Sequence, residues 1–169
     1  MPNSATSPST GPVHHRFGKE DIGAQLLPIL TSGLYRDTLD TLREYIQNAI
    51  DARSTQINMS ITRSVVSVAD NGVGMTEDQA RQAIRLGMSD KNSRLNVGFR
   101  GIGVYSAFNL CNSLSIYTRA GSHETPWLLR FNFRGMREDL AEEQERKEQG
   151  LPPQLYLELL LNRHVSVGG

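Results

Sequence analysis

Between residues 44 and 103 three short motifs follow one another in a fixed order: Glu44-Tyr45-Ile46-Gln47-Asn48-Ala49-Ile50-Asp51-Ala52, then Asp70-Asn71-Gly72-Val73-Gly74-Met75, then Gly98-Phe99-Arg100-Gly101-Ile102-Gly103. Each is weak alone. Together they offer a carboxylate and an amide on one helix, an acidic group before a glycine turn, and a glycine loop. These are the parts needed to hold a base, a metal and a phosphate chain, so the fold must bring one helix, one strand end and one loop to a common place.

The flanking pattern shows how. Leu39, Leu42, Ile46, Ala49 and Ile50 recur at helical spacing from Tyr35 onward. Residues 56–62 alternate, with Ile57, Met59 and Ile61 on one face, and Val65 to Ala69 is a second extended run. Thr62-Arg63-Ser64 between them reads as a hairpin turn. Thr76-Glu77-Asp78-Gln79 reads as a capping box opening a helix to about Leu86. Residues 87–97 are polar and read as a loop, and a short helix is expected after Gly103.

Two more strands are expected, Ser113 to Ala120 and Trp127 to Arg134, with Trp127, Leu129, Phe131 and Phe133 alternating. Residues 136–149 are charge-dense and read as a solvated helix or linker. Leu155 to Leu161 is apolar and fits either strand or helix. Strands grouped with helices, without regular βαβ alternation, predict an α+β two-layer sandwich: one mostly antiparallel sheet with helices on one face. The expected organisation is a disordered tail at 1–16, a nucleotide-binding domain at 17–135, and a charged helix or linker with the start of an incomplete C-terminal part at 136–169.

Bulk properties remove other classes. The chain has 169 residues, enough for one domain with a core. Eighteen basic and eighteen acidic residues give zero net charge, which argues against a nucleic-acid partner. One cysteine, Cys111, excludes an internal disulfide framework and suits a reducing compartment, so a cytoplasmic location is expected. Cys111 itself reads as a small buried hydrophobe. The histidines show no metal-ligand spacing beyond the adjacent pair His14-His15. No run reaches membrane-spanning length, and no signal peptide is evident.

At about 100° per residue, Glu44, Asn48 and Asp51 fall within an arc of about 60°. The apolar residues centre on the opposite side, so this polar stripe is expected to face away from the packing side. An ordinary solvated face is the competing reading. Asn is a poor helix former, however, and its amide oxygen can sit on Mg²⁺, while a carboxylate one turn earlier can polarise water. In the second motif Asn71-Gly72 also fits a plain turn. Asp70 at a strand end can accept from an exocyclic amine, which would distinguish adenine from guanine. Met75 suits either a wall for a base or plain core. The third motif is G-x-x-G-x-G, not the dinucleotide fingerprint, and no Walker lysine follows it. Its glycines would still expose amide N–H groups to phosphate. Arg81, Arg85, Lys91, Arg94 and Arg100 oppose only Asp90 between residues 81 and 100.

The three motifs in this order resemble the gyrase, heat-shock-chaperone, histidine-kinase and mismatch-repair (GHKL) ATPase superfamily, with its Bergerat-type fold. Leu34-Tyr35, and Gly98 through Val104-Tyr105-Ser106-Ala107-Phe108, are similar to the N-terminal ATP-binding domain of ninety-kilodalton heat-shock chaperones. The likeness covers roughly residues 26–120. It implies Glu44 as general base, Asn48 as the Mg²⁺ ligand, and Asp51 with Ala52 as nucleotide contacts. Asp70 would bind the adenine amine, with Gly74 and Met75 beside the base. Lys91 and Gly98, Phe99, Arg100, Gly101, Ile102, Gly103 and Val104 would meet the phosphates, and residues 76–97 would form a lid. The implied ligands are ATP or ADP with Mg²⁺. The implied partners are a client protein or downstream domain and a second copy in a homodimer, without membrane.

The chain also departs from that family. Arg85 and Val104 stand where the chaperones usually have Asn and Phe, the lid is shorter, and no Gly-Thr pair follows Gly103. A nucleotide-binding scaffold without turnover therefore stands as an alternative to an ATPase. A histidine-kinase lobe is a third reading, weakened by the absence of a phosphoacceptor helix.

Overall fold

The structure, a computed structural model, describes residues 16–18, 38–84 and 103–169. The elements within them are helix α1 (Thr38–Asp51), strands β1 (Ile57–Ile61) and β2 (Val66–Asp70), helix α2 (Glu77–Ile84), a 3₁₀ turn (Gly103–Ala107), strands β3 (Leu114–Thr118) and β4 (Trp127–Phe131), helices α3 (Phe133–Glu148) and α4 (Leu157–His164), and strand β5 (Val165–Gly168). Helices and antiparallel strands mix as expected for an α+β fold. The described strands form two sheets, however, rather than one. β1 and β2 make a hairpin, while β3, β4 and β5 make a three-stranded antiparallel sheet in that order.

The core lies on one face of the three-stranded sheet. Leu129 and Phe131 of β4 and Val165 and Val167 of β5 point into it, and Ala80, Ala83 and Ile84 of α2, Tyr105 and Phe108, Met136 of α3 and Leu160 and Leu161 of α4 complete it. Tyr105 meets Phe131 edge-on at 5.5 Å, and Phe108 meets Phe133 edge-on at 5.5 Å. Each fully buried side chain of this size contributes about 1.5–3 kcal/mol relative to exposure. Tyr105 also donates its hydroxyl to the Ile84 carbonyl at 3.2 Å, which satisfies its polar end. The 3₁₀ turn is thus plugged into the core by its aromatic residue.

Several local expectations hold. β1 and β2 pair from Ile57↔Asp70 to Ile61↔Val66 around the 62–65 turn. The capping box forms in both directions: the Thr76 N–H donates to Gln79 Oε1 at 2.9 Å, and the Gln79 N–H donates to Thr76 Oγ1 at 3.3 Å.

Other boundaries shift. β4 stops at Phe131, not Arg134, because Asn132 caps a new helix, its side chain accepting from the Gly135 N–H at 3.0 Å. The charged run belongs to that helix, and it is not purely solvated: Arg137 donates to the carbonyls of Phe108 and Cys111 and to Asn112 Oδ1. The ambiguous 155–161 run is helix α4. β5 follows it directly, a strand the sequence reading did not separate. Residues 136–169 thereby contribute Met136, Leu160, Leu161, Val165 and Val167 to the same core.

The apolar face of the hairpin is more open than its alternation suggested, with Met59 at 41% and Ile61 at 65% exposure. The tail at 1–12, the helical reading at 20–34, and residues 85–97 of the expected lid lie outside the described residues.

Candidate nucleotide site

α1 is the element on which the motifs meet. Its packing side faces the 3₁₀ turn, where the buried Thr41 Oγ1 donates to the Ser106 carbonyl at 3.1 Å. Thr41 and Ala49 are buried, while Leu39 and Ile50 are exposed. This corrects the expected orientation. The Glu44–Asn48 stripe does not face away from the packing side but borders it. The physical reason is the partner: a turn built from Gly103, Ser106 and Ala107 offers small residues against which polar side chains can lie. A Cβ on Gly103 would stand 3.2 Å from Asn48 Nδ2 and 3.7 Å from Glu44 Oε2. The first and third motifs are therefore in contact at Gly103.

The first and second motifs are joined at the end of α1. Ala52 accepts from the Val73 N–H at 2.9 Å, and a Cβ on Gly72 would lie 2.7 Å from Ala52 Cβ. The helix ends in a six-to-one and five-to-two hydrogen-bond pair, Ser54 N–H to Ala49 and Arg53 N–H to Ile50, with Arg53 at φ 59°. Asn71 Oδ1 accepts from the N–H groups of Thr55 and Gln56, each at 2.9 Å, and locks the following linker to the β2 end.

Asp70 closes β2 and is exposed; its Oδ1 accepts from the Gly72 N–H at 2.8 Å. Asp51 is also exposed and accepts from Gln47 Nε2 at 2.9 Å. Gly74 has φ 65° and runs so close to Arg119 that a Cβ would stand 2.1 Å from its carbonyl oxygen. Met75 is buried in the main core, and its N–H donates to Thr118 Oγ1 at 2.8 Å. Val104 is likewise buried. Lys91 and residues 98–102 lie outside the described residues, so of the third motif's glycines only Gly103 is placed. It opens a 3₁₀ turn of five residues rather than an α-helix.

Thr118 was not singled out from sequence. It is a buried hydroxyl at the end of β3, and it ties the second motif to the central sheet. The only available signal was a threonine closing an alternating strand, which is too common to be diagnostic.

Two phenols flank this region. Burial pushes the Tyr45 hydroxyl up to about 12, against the opposing influence of the neighbouring Ser106 side chain. Burial likewise raises Tyr105. Both stay neutral at ordinary pH. Burial also raises the Cys111 thiol, opposed by Arg137 and the Ser113 backbone; the residue is half-buried rather than fully buried, and packs against the edge of the core.

The family profile described as histidine kinase-, DNA gyrase B-, and HSP90-like ATPase matches residues 38–162. The chain belongs to this ATPase family. As a member it carries the family's ATP-binding module, in agreement with the resemblance read from the motifs. The chaperone protein HtpG of Actinobacillus succinogenes is 26% identical over 166 residues, covering 79% of this chain and 26% of that protein. HtpG of Shewanella denitrificans is 27% identical over 133 residues, 59% of this chain and 21% of that protein. A protein of Herpetosiphon aurantiacus named for a type II restriction enzyme, HgiDII, is 29% identical over 97 residues, 53% of this chain and 16% of that protein. The chain thus spans about a quarter or less of these relatives' length. Among the described residues, no helix of this ATPase domain is long and apolar enough to cross a membrane.

Proposed function

We propose that the chain is a Mg²⁺-dependent ATP-binding and ATP-hydrolysing module, and that nucleotide drives closure of residues 76–97 to act on a partner or downstream domain in the cytoplasm. The observation that carries this reading is the meeting of Glu44 and Asn48 at Gly103, which puts a carboxylate and a carboxamide beside the end of the phosphate-loop motif.

In this reading Glu44 takes a proton from the attacking water. Asn48 supplies an amide oxygen to the metal. One protein ligand is enough there, because Mg²⁺ keeps waters and shares phosphate oxygens rather than needing an all-protein cage. When bound, the metal would neutralise developing charge on the phosphates. Asp70 accepts from the adenine amine through its outer oxygen while Oδ1 stays on the Gly72 N–H. Asp51, Ala52, Gly74 and Met75 shape the nucleotide's surroundings through the turn that Gly72 and Gly74 permit. Lys91 and Gly98 to Val104 meet the phosphates. A second copy is a compatible partner.

The test is calorimetry with ATP and GTP on the chain and on Asp70→Asn. The asparagine can still accept from Gly72, so the turn should persist, but its amide would present a donor to the adenine amine. Preference for ATP, lost in Asp70→Asn, supports the reading; equal affinity for ATP and GTP overturns it. Single-turnover hydrolysis of labelled ATP then separates an ATPase from a scaffold that binds without turnover.

A further inference from the structure

The outer face of the β3–β4–β5 sheet holds a groove of about 820 Å³ that includes no residue of the three motifs. Arg130 lies opposite Ser115 on one side and Ser166 on the other. The three form a single row across the sheet, hydroxyl, guanidinium, hydroxyl, spanning about 10 Å at the usual strand spacing. Arg16, Arg163 and His164 complete the basic lining.

A solvated sheet face is the plain alternative, but three features separate this groove from one. First, its lining contains three arginines and a histidine and no aspartate or glutamate, in a chain whose acids and bases are equal in number. Second, the guanidinium groups of Arg16 and Arg130 have no ion pair or hydrogen bond among the described residues. Third, the other two basic groups are held in place from behind. Asp139 accepts from His164 Nε2 at 2.9 Å and from Arg163 Nη1 at 3.0 Å, while Asn132 Nδ2 stands 3.5 Å from His164 Nδ1. Two guanidinium groups without an ion pair, beside the Arg163 guanidinium anchored on Asp139 and two hydroxyls, suit a doubly charged, oxygen-rich anion; the His164 ring nitrogens are taken up by Asp139 and Asn132. The arginine fork matches phosphate oxygens, and the volume lies in the range of small-molecule sites.

We propose that this groove is a second ligand site, separate from the nucleotide motifs, that binds a small phosphate ester between Arg130 and Arg16 with Ser115 and Ser166 donating to its oxygens. A polymer backbone is disfavoured because it needs cations along its track, and this row ends after three strands. The proposal stands on residues that the nucleotide reading does not use.

The experiment is an NMR titration of the chain with glycerol 3-phosphate, inorganic phosphate and glycerol at constant ionic strength, repeated on Arg130→Gln and Asp70→Asn. The expected result is saturable shifts at the Ser115 and Ser166 amides with the ester, weaker ones with phosphate and none with glycerol. Arg130→Gln should bind the ester at least ten-fold more weakly, and Asp70→Asn should bind it normally. Arg130 is exposed, so its replacement should fold. Non-saturating shifts, unchanged affinity in Arg130→Gln, equal binding of ester and inorganic phosphate, or shifts confined to Gly103 and Asp70 would each overturn the proposal. So would displacement of the ester by an oligonucleotide at equal phosphate concentration.

Discussion

Asn48 Nδ2 lies 3.2 Å from the point where a Cβ on Gly103 would stand. The separation is tighter than ordinary van der Waals contact yet short of a backbone clash, so a methyl group there must displace the amide by a few tenths of an ångström. Gly103→Ala should therefore fold, with stability lowered by no more than about 1–3 kcal/mol for an overpacked contact. It should lose Mg²⁺-dependent ATP affinity much as Asn48→Ala does. Calorimetry on the two single variants and the double variant checks this. Because both changes disturb one contact, their effects should be less than additive; fully additive losses would show that the two residues act apart.

Gly74 presents a harsher case. Its φ of 65° and the 2.1 Å approach of a Cβ to the Arg119 carbonyl leave no room for a side chain against main chain that cannot swing aside. Gly74→Ala should destabilise the fold by about 2–4 kcal/mol, combining left-handed strain with a steric clash. Thermal unfolding measures it, and a midpoint within a degree of the parent's would contradict the geometry.

These contacts show where sequence reading succeeded. The hairpin, the capping box and the strand alternation in β3 and β4 are local patterns whose causes sit within a few residues, so they were legible. The motif order revealed the family because it names chemistry rather than packing. The orientation of α1 was not legible: apolar Leu39 and Ile50 implied one packing side, whereas the small residues of a turn some sixty positions later set another. The end of β4 was missed because Phe133 continued the apolar alternation, and only the Asn132 cap bond reveals the switch to helix. Thr118 gained its meaning from Met75, which is distant in sequence. Lys91 and residues 98–102 stay expectations from the motifs, since they lie outside the described residues.

Arg53 holds a conformation better suited to glycine. It sits at φ 59° just past the end of α1, where its N–H and that of Ser54 satisfy the last helical carbonyls. Non-glycine residues in this region cost about 1–2 kcal/mol, part of which glycine gives back through its greater unfolded-state freedom. Arg53→Gly should raise stability by about 0.5–1 kcal/mol in denaturant unfolding, with nucleotide affinity unchanged. A loss of stability would mean that the Arg53 side chain makes a contribution larger than the strain.

Glu44→Ala separates binding from chemistry. A general base acts on water and not on ground-state nucleotide, so ATP affinity should change little. The hydrolysis rate should fall by about 10²–10⁴-fold, the usual contribution of a positioned base. Single-turnover assays beside calorimetry check both halves. If Glu44→Ala hydrolyses ATP at the parent's rate, another group activates the water.

Asp139 supplies the pH-dependent prediction. Its partial burial works against the charged form, but hydrogen bonds and charge from His164 and Arg163 together outweigh that and hold the carboxyl below the ordinary 3.8. A carboxyl whose folded value is depressed binds fewer protons in the folded state than in the unfolded one near that pH. Its contribution is complete above the ordinary value and is lost as pH falls through the lower folded value. Stability should therefore drop from about pH 4 downward by more in the parent than in Asp139→Asn, which keeps an oxygen acceptor for His164 and Arg163 but cannot titrate. Denaturant unfolding at pH 7 and at successive steps below 4 checks this. The gap between the two proteins should be widest at neutral pH and should close in acid. A gap that stays constant across the series would show that Asp139 acts by packing alone and that its bonds to His164 and Arg163 carry no charge-dependent stabilisation.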